Sequence, residues 1–256
     1  ERTCKDPTFF SVIPGKKHMW KQYTVSVVLP AFNEEENILK AVKGFLGEPY
    51  VDEVLVVDNN CTDHTAEIVR TTTARLVGEE RQGYGYSLRK GLSEAKGDLI
   101  VLCEPDGTFL SSDIIKLLAY ADDFDMVMGT RTTKELIWKG ANMGFFLRFG
   151  NYIVAKLLEV LYSGPSLSDC GCTLRLIRRE AYEKISDLLT VGSSHFLPDM
   201  VIAGLKKNLK VVEIPVNYSR RIGESKITGS LKGVIRTGMS MIGLILWKRI
   251  QTPRAR

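Results

Sequence analysis

Two carboxylates one residue apart, Glu104 and Asp106, follow an apolar run, Asp98-Leu99-Ile100-Val101-Leu102, that reads as a buried strand. Alternate residues of an extended chain point to the same side, so the pair can face one small object. Pro105 stiffens the link between them, and Gly107 relaxes the turn that follows. The natural object is a hard divalent cation, Mg2+ or Mn2+, that also holds phosphate oxygens; such ions take one or two carboxylates plus substrate phosphate. An acid-x-acid at a strand end also occurs in plain turns and helix caps, so the weight of the pair depends on what else reaches the same place. Four further groups have the right chemistry. Glu34 follows Pro30-Ala31-Phe32-Asn33, and Asp58 ends the run Val54-Leu55-Val56-Val57. Arg131 follows Gly129-Thr130, where an arginine suits a phosphate clamp. Arg220, Arg221 and Lys226 surround Gly223 in a cationic segment suited to closing over phosphates. Asp169 and Asp199 are spare acids; Asp199 is either a first-turn helix acid or a site residue.

The elements that must position these groups follow in order. Thr24–Leu29 is β-branched and uninterrupted, as a central parallel strand should be. Asn33 and the acids Glu34, Glu35 and Glu36 then start a helix to about Leu46, with carboxylates where the dipole favours them. Strands at 53–57, 74–77, 98–102 and 125–128 alternate with helices to about Val69, from about Gly85 to Ala95, and from Ser111 to about Ala121. Strand-helix units repeated in this way predict a doubly wound α/β core. Right-handed crossovers put the strand ends on one rim, and ligands of open α/β sheets bind there. Gly83-x-Gly85 is no dinucleotide fingerprint, because it does not follow the first strand and lacks the ribose acid. Later come a helix over 150–161, a strand ending near Ile177, helices near 180–188 and 199–207, and a strand at 210–216. The last helix, 230–250, puts Leu231, Val234, Ile235, Ile242, Ile245 and Leu246 on one side and Lys232 and Arg236 opposite. That reads as an amphipathic interfacial helix. Residues 1–23 have no period and read as an arm, 24–229 as the main domain, and 230–256 as a basic helix and tail.

Composition bounds the rest. The 256 residues are 44% hydrophobic and 25% charged, ordinary for a globular protein. The net charge of +5 suits an anionic partner, and bases dominate from Lys206 onward, where Glu213 and Glu224 are the only acids. No nucleic-acid partner is expected. The five cysteines are odd in number, and Cys103 falls in a buried strand, which argues for reduced thiols and a cytoplasmic setting. Cys170 and Cys172 lack companions at zinc spacing. The longest strongly apolar run, Met239 to Trp247, is too short to span a bilayer, so the expectation is a soluble or peripheral protein.

Taken together, Val28-Leu29-Pro30-Ala31-Phe32-Asn33-Glu34, Val56-Val57-Asp58-Asn59-Asn60, Glu104-Pro105-Asp106, Gly129-Thr130-Arg131 and Arg221-Ile222-Gly223-Glu224-Ser225-Lys226 resemble the inverting family 2 glycosyltransferases of GT-A fold. The nearest subgroup is similar to dolichyl-phosphate mannose and glucose synthases and prokaryotic polyprenyl-phosphate glycosyltransferases. The resemblance implies donor base and ribose contacts at Pro30, Phe32, Glu34 and Asp58, and a metal on the donor diphosphate at Glu104 and Asp106. It implies phosphate or acceptor contacts at Arg131, Arg220, Arg221 and Lys226. Three positions depart from the usual pattern: Glu104 replaces a common Asp, Thr108 a glutamine frequent in mannose synthases, and Ile222 an aromatic. The implied activity is hexose transfer from a nucleotide sugar to a polyprenyl phosphate on the cytosolic face of a membrane, with a membrane-protein partner as one way of being held there. If the acceptor is a sugar hydroxyl instead, a general base is required, and Asp199 or Asp169 is the candidate. A nucleotidyltransferase and a non-catalytic nucleotide-sugar-binding protein are the rival classes.

Overall fold

The computed structural model describes residues 19–141, 144–222 and 231–251. Its centre is one seven-stranded sheet of order β3-β2-β1-β4-β6-β5-β7. The strands are β1 (Val25–Ala31), β2 (Glu53–Asp58), β3 (Arg75–Gly78), β4 (Leu99–Leu102), β5 (Met126–Thr130), β6 (Arg175–Arg178) and β7 (Val211–Pro215). All pairings are parallel except those of β6, which runs antiparallel between β4 and β5. The carboxyl ends of β1, β2, β4 and β5 therefore share a rim, as a doubly wound sheet requires.

Alternation along the strands feeds two cores. Val25, Val27 and Leu29 of β1 join the layer that holds α1 (Ile38–Leu46), α2 (Thr65–Arg70) and α4 (Ile114–Leu118). Val28 faces the other layer, which holds α3 (Tyr84–Glu94), α5 (Phe145–Tyr162), α6 (Arg179–Ile185), α7 (Phe196–Lys206) and α8 (Leu231–Ile250). Gly91 of α3 is needed for this packing, because a Cβ there would stand 2.2 Å from Val28 Cγ1.

Some helix starts and one packing face differ from the sequence expectation. The first helix begins at Ile38, not Asn33, and its first turn carries no acid. Asn33 sits in the left-handed region (φ 54°), and its side chain accepts the Thr62 amide at 2.8 Å instead of capping. The Glu34 amide donates to Thr65 Oγ1 and the Glu35 amide to Asp63 Oδ2. The acid-rich stretch is thus stitched to the β2 end turn and cannot coil. The helix expected from Gly150 begins at Phe145. In α8 the buried stripe is Met241, Leu244, Ile245 and Lys248, while Ile235 and Leu246, placed on the packing side by the sequence, are exposed. Two apolar faces share this helix. One packs on α5 and α7, and the other looks outward.

Candidate active site

Asp106, just after β4, is almost fully enclosed, 1% exposed. The turn that carries it is fixed at both ends. Asp106 Oδ1 accepts the Thr108 amide at 3.0 Å and its hydroxyl at 2.6 Å. The backbone carbonyls of Asp106 and Thr108 accept the amides of Ile222 and Ser219. Gly107 between them has φ +79°, a left-handed turn that a side chain would strain. Oδ2 of Asp106 lies 2.9 Å from Arg221 Nη1, and Nη2 of the same guanidinium lies 3.4 Å from Glu34 Oε1. Arg221 thus spans the ends of β1 and β4. Glu34 is held from behind by Asn37 Nδ2, which donates to its Oε2 at 2.9 Å.

Glu104 takes a different partner. Its Oε1 accepts the Thr173 hydroxyl at 3.0 Å, and that hydroxyl lies 2.6 Å from the Tyr84 phenol. Burial and the neighbouring Asp106 push the Glu104 carboxyl up to about 7, against the pull of Arg221 and Arg131. Arg131, at the end of β5, is gripped by Asp169: Nε donates at 2.7 Å, Nη2 at 2.8 Å and the backbone amide at 3.2 Å. Burial alone would raise the Asp169 carboxyl, but the bidentate arginine holds it below the usual carboxylate range. The Tyr218 ring lies 5.3 Å from the Arg131 guanidinium.

These groups border a cavity of about 740 Å³. Its polar end is lined by Pro30, Phe32, Glu34, Glu104, Arg131 and Arg221. Its apolar wall comes from α5 and α8 and includes Leu147, Ile153, Val154, Ile235, Met241 and Ile242. No cluster of three potential metal ligands exists among the described residues. The donor set is instead two carboxylates, with a buried Asp106 oxygen already facing a cation. That set fits Mg2+ or Mn2+ completed by substrate phosphate and water.

The family model described as "Glycosyl transferase family 2" matches residues 26–186. The chain belongs to glycosyl transferase family 2. It is therefore a glycosyltransferase, and the rival nucleotidyltransferase class is set aside. It is 31% identical to a low-salt glycan biosynthesis hexosyltransferase of Haloferax volcanii over 80% of the chain, but spans only 50% of that relative. It is 34% identical to an uncharacterized glycosyltransferase of Mycobacterium tuberculosis, over 82% of the chain and 93% of the relative. A dolichyl-phosphate hexose transferase of Haloferax volcanii is 28% identical over 89% of the chain and 96% of its own length. Among solved structures, glucosyl-3-phosphoglycerate synthase from Mycobacterium tuberculosis, in complex with Mn2+, UDP and glucosyl-3-phosphoglycerate, superposes with a TM-score of 0.67. The match covers 92% of this chain and 82% of that one, at 20% identity. The shared fold is GT-A.

Within this glycosyltransferase the anticipated residues fall into three groups. Pro30, Phe32, Glu34, Glu104, Arg131 and Arg221 line the cavity, and Asp106 sits directly behind Arg221. Asp58 ends β2 but turns to accept the Cys61 amide at 2.9 Å, and it is absent from the lining. Arg220 is exposed, with its side chain 3.5 Å from where a Gly140 Cβ would stand. Asp199 is fully buried away from the lining, paired with Lys248 of α8 and accepting the amides of Thr190 and Val191. Lys226 lies outside the described residues. Two further residues, Asn59 and Tyr84, line the cavity. Asn59 lines the cavity while its Oδ1 accepts the Gly83 amide and its Nδ2 donates to the carbonyls of Glu79 and Arg81. A polar residue directly after a buried strand was the available signal. Tyr84 was hidden by its glycines: Gly83 and Gly85 serve the close approach of the 191–193 backbone, where a Cβ would stand 2.3 and 2.6 Å from carbonyl oxygens.

Proposed function

We propose that this enzyme transfers a hexose from a nucleotide sugar to a polyprenyl phosphate, with inversion, at a membrane surface. The observation that carries the reading is the two-ended cavity. A charged rim suits a nucleoside diphosphate and a phosphate, and the α5–α8 wall suits an isoprenoid chain. The acids support the same choice. Asp169 is committed to Arg131 and Asp199 to Lys248, so neither is placed as a general base. A phosphate acceptor is already an anion and needs none. Relatives named as a dolichyl-phosphate hexose transferase and an undecaprenyl-phosphate 4-deoxy-4-formamido-L-arabinose transferase point the same way.

In this scheme Pro30, Phe32 and Glu34 hold the nucleoside of a UDP- or GDP-linked sugar. Glu104 and Asp106 would hold the divalent ion, which when bound offsets charge on the donor diphosphate. A phosphate oxygen of the acceptor attacks the anomeric carbon. The bond from that carbon to the diphosphate oxygen breaks on the opposite face, and the nucleoside diphosphate leaves with the electron pair. Arg131 and Arg221 stabilise the charge that grows there, and positioning supplies the rest. Outward-facing Phe149, Tyr152, Leu246 and Trp247, outside the cavity lining and with Arg249 close in sequence, form the membrane-facing side on the cytosolic leaflet. No helix among the described residues is long and apolar enough to cross a bilayer.

The test is release of nucleoside diphosphate from a panel of UDP- and GDP-sugars with Mg2+ or Mn2+, with and without a polyprenyl phosphate. Lipid-dependent release, with label passing into the organic phase, is the expected result. Transfer to sugar hydroxyls alone would refute the lipid acceptor and keep the glycosyltransferase.

A further inference from the structure

Glu213 is a half-buried carboxylate on β7, outside the cavity lining and outside every role described so far. Both of its oxygens are spent on two consecutive residues of the segment before β6. Oε2 accepts the Ser168 amide at 2.7 Å and the Ser168 hydroxyl at 2.6 Å, and Oε1 accepts the Asp169 amide at 2.7 Å. The Ser168 hydroxyl also lies 2.8 Å from Thr130 Oγ1 and 2.9 Å from Thr132 Oγ1, the residues on either side of Arg131. Asp169 then grips the Arg131 guanidinium through both oxygens. The strand register already fixes β7 against β5, with Met128 opposite Glu213. The carboxylate is therefore not needed to join these strands. What it fixes is the backbone that carries Asp169.

We infer that Glu213 is a positioning residue for the Arg131 clamp, acting through the Ser168–Asp169 backbone and the Asp169 carboxylate. This rests on Arg131 serving as a phosphate clamp in the transfer reaction. A guanidinium that must meet charge appearing only in the transition state has to be aimed beforehand, and a displacement of about 1 Å at such a group can cost roughly a hundredfold in rate. Two rigid links, carboxylate to backbone and carboxylate to guanidinium, give that aim without either acid touching substrate.

The experiment is a double-mutant cycle on the full chain. Glu213→Gln keeps the volume but replaces one acceptor with an NH2 that meets an N–H. It should lower kcat about 10- to 100-fold, with the KM for the nucleotide sugar changed less than about threefold, since ground-state donor contacts at Glu34 and Phe32 are untouched. In an Arg131→Ala background the same change should be nearly silent, within about threefold. Ser168→Ala, a milder change that spares both amides, should show the same pattern at smaller size and covers a failure of Glu213→Gln to fold. Equal losses of kcat in both backgrounds would overturn the inference, as would a Glu213→Gln enzyme with wild-type kcat. If Arg131→Ala itself turned over like wild type, the clamp reading would fall first, and the inference with it.

Discussion

Arg221 is the group whose removal separates two jobs. Its Nη1 faces Asp106 Oδ2 at 2.9 Å, with the arginine side chain 24% and the aspartate 1% exposed. A divalent ion on Asp106 must share that oxygen with a guanidinium or displace it, and two cations at one buried oxygen repel. A hydrogen bond between charged groups is worth about 1.5–3 kcal/mol net. The partial exposure of Arg221 argues for the low end, and the second contact, to Glu34 at 3.4 Å, adds little. Replacing the arginine by glutamine should therefore relieve about 1.4 kcal/mol of competition, roughly a tenfold gain in metal affinity. The sign should reverse once nucleotide is present. Freed from Asp106, Arg221 can meet the diphosphate, so Arg221→Gln should bind UDP or GDP with Mn2+ about tenfold more weakly. Electron paramagnetic resonance of free Mn2+, titrated with protein alone, reads the first effect, and calorimetry with the nucleoside diphosphate reads the second. Arg221→Lys, which keeps the charge, should sit close to wild type in the metal titration. Unchanged or weaker Mn2+ binding by Arg221→Gln would refute the competition and make Arg221 a scaffold residue only.

Other expected outcomes follow from the same geometry. Asp106→Asn should cut transfer by about a thousandfold or more, because several kcal/mol of metal-borne stabilisation goes with the charge; circular dichroism should stay native, and wild-type-like activity would sink the metal site. Lys248→Met leaves Asp199 buried without its cation, which costs about 3–5 kcal/mol and should lower Tm by roughly 6–20 °C for a chain of this size; a Tm within about 2 °C of wild type, the smallest shift expected for 1 kcal/mol, would mean that the pair does not hold α8 down. Glu104, raised in the fold from 4.5 to about 7, favours the folded state while protonated, so its contribution is present below 4.5 and lost as pH rises through about 7. The metal-free protein should therefore lose stability across that window, and Mn2+ affinity should climb up to tenfold per pH unit until about pH 7; a pH-independent Mn2+ affinity between 5 and 7 would exclude Glu104 as a ligand.

Much of the fold was legible because its signals are local. The β-branched run 25–29 and the polar turns after β1, β2, β4 and β5 state a parallel sheet and its active rim in plain sequence. The acids 34–36 misled because helix propensity is local while the Asp63, Thr65 and Asn33 bonds that hold this stretch out of the helix join segments some thirty residues apart. Asp58 is less legible for the opposite reason: a strand-end acid can turn back on its own loop, and its Oδ1 accepts the Cys61 amide three residues on. In α8 an apolar pattern on two faces cannot say which one packs. Tertiary contact decides it, through Lys248 reaching Asp199 and the Tyr162 hydroxyl reaching the Ile245 carbonyl.

The acceptor chemistry, by contrast, is a question of which charges are already taken. From sequence, Asp169 and Asp199 are equivalent spare acids, either able to deprotonate a hydroxyl. In the fold each is enclosed and answered by a cation, and each also receives backbone amides: Arg131 and Gly171 on Asp169, Thr190 and Val191 on Asp199. Carboxylates bound in this way are poor proton acceptors, because accepting a proton means giving up a charge-assisted bond. Of the carboxylates that line the cavity, Glu34 faces Arg221, and Glu104, which accepts the Thr173 hydroxyl, is assigned to the metal in the proposed scheme. A rim built with its bases occupied works best on a nucleophile that arrives with its own negative charge, and the apolar wall of α5 and α8 beside that rim favours one that arrives on a hydrocarbon chain.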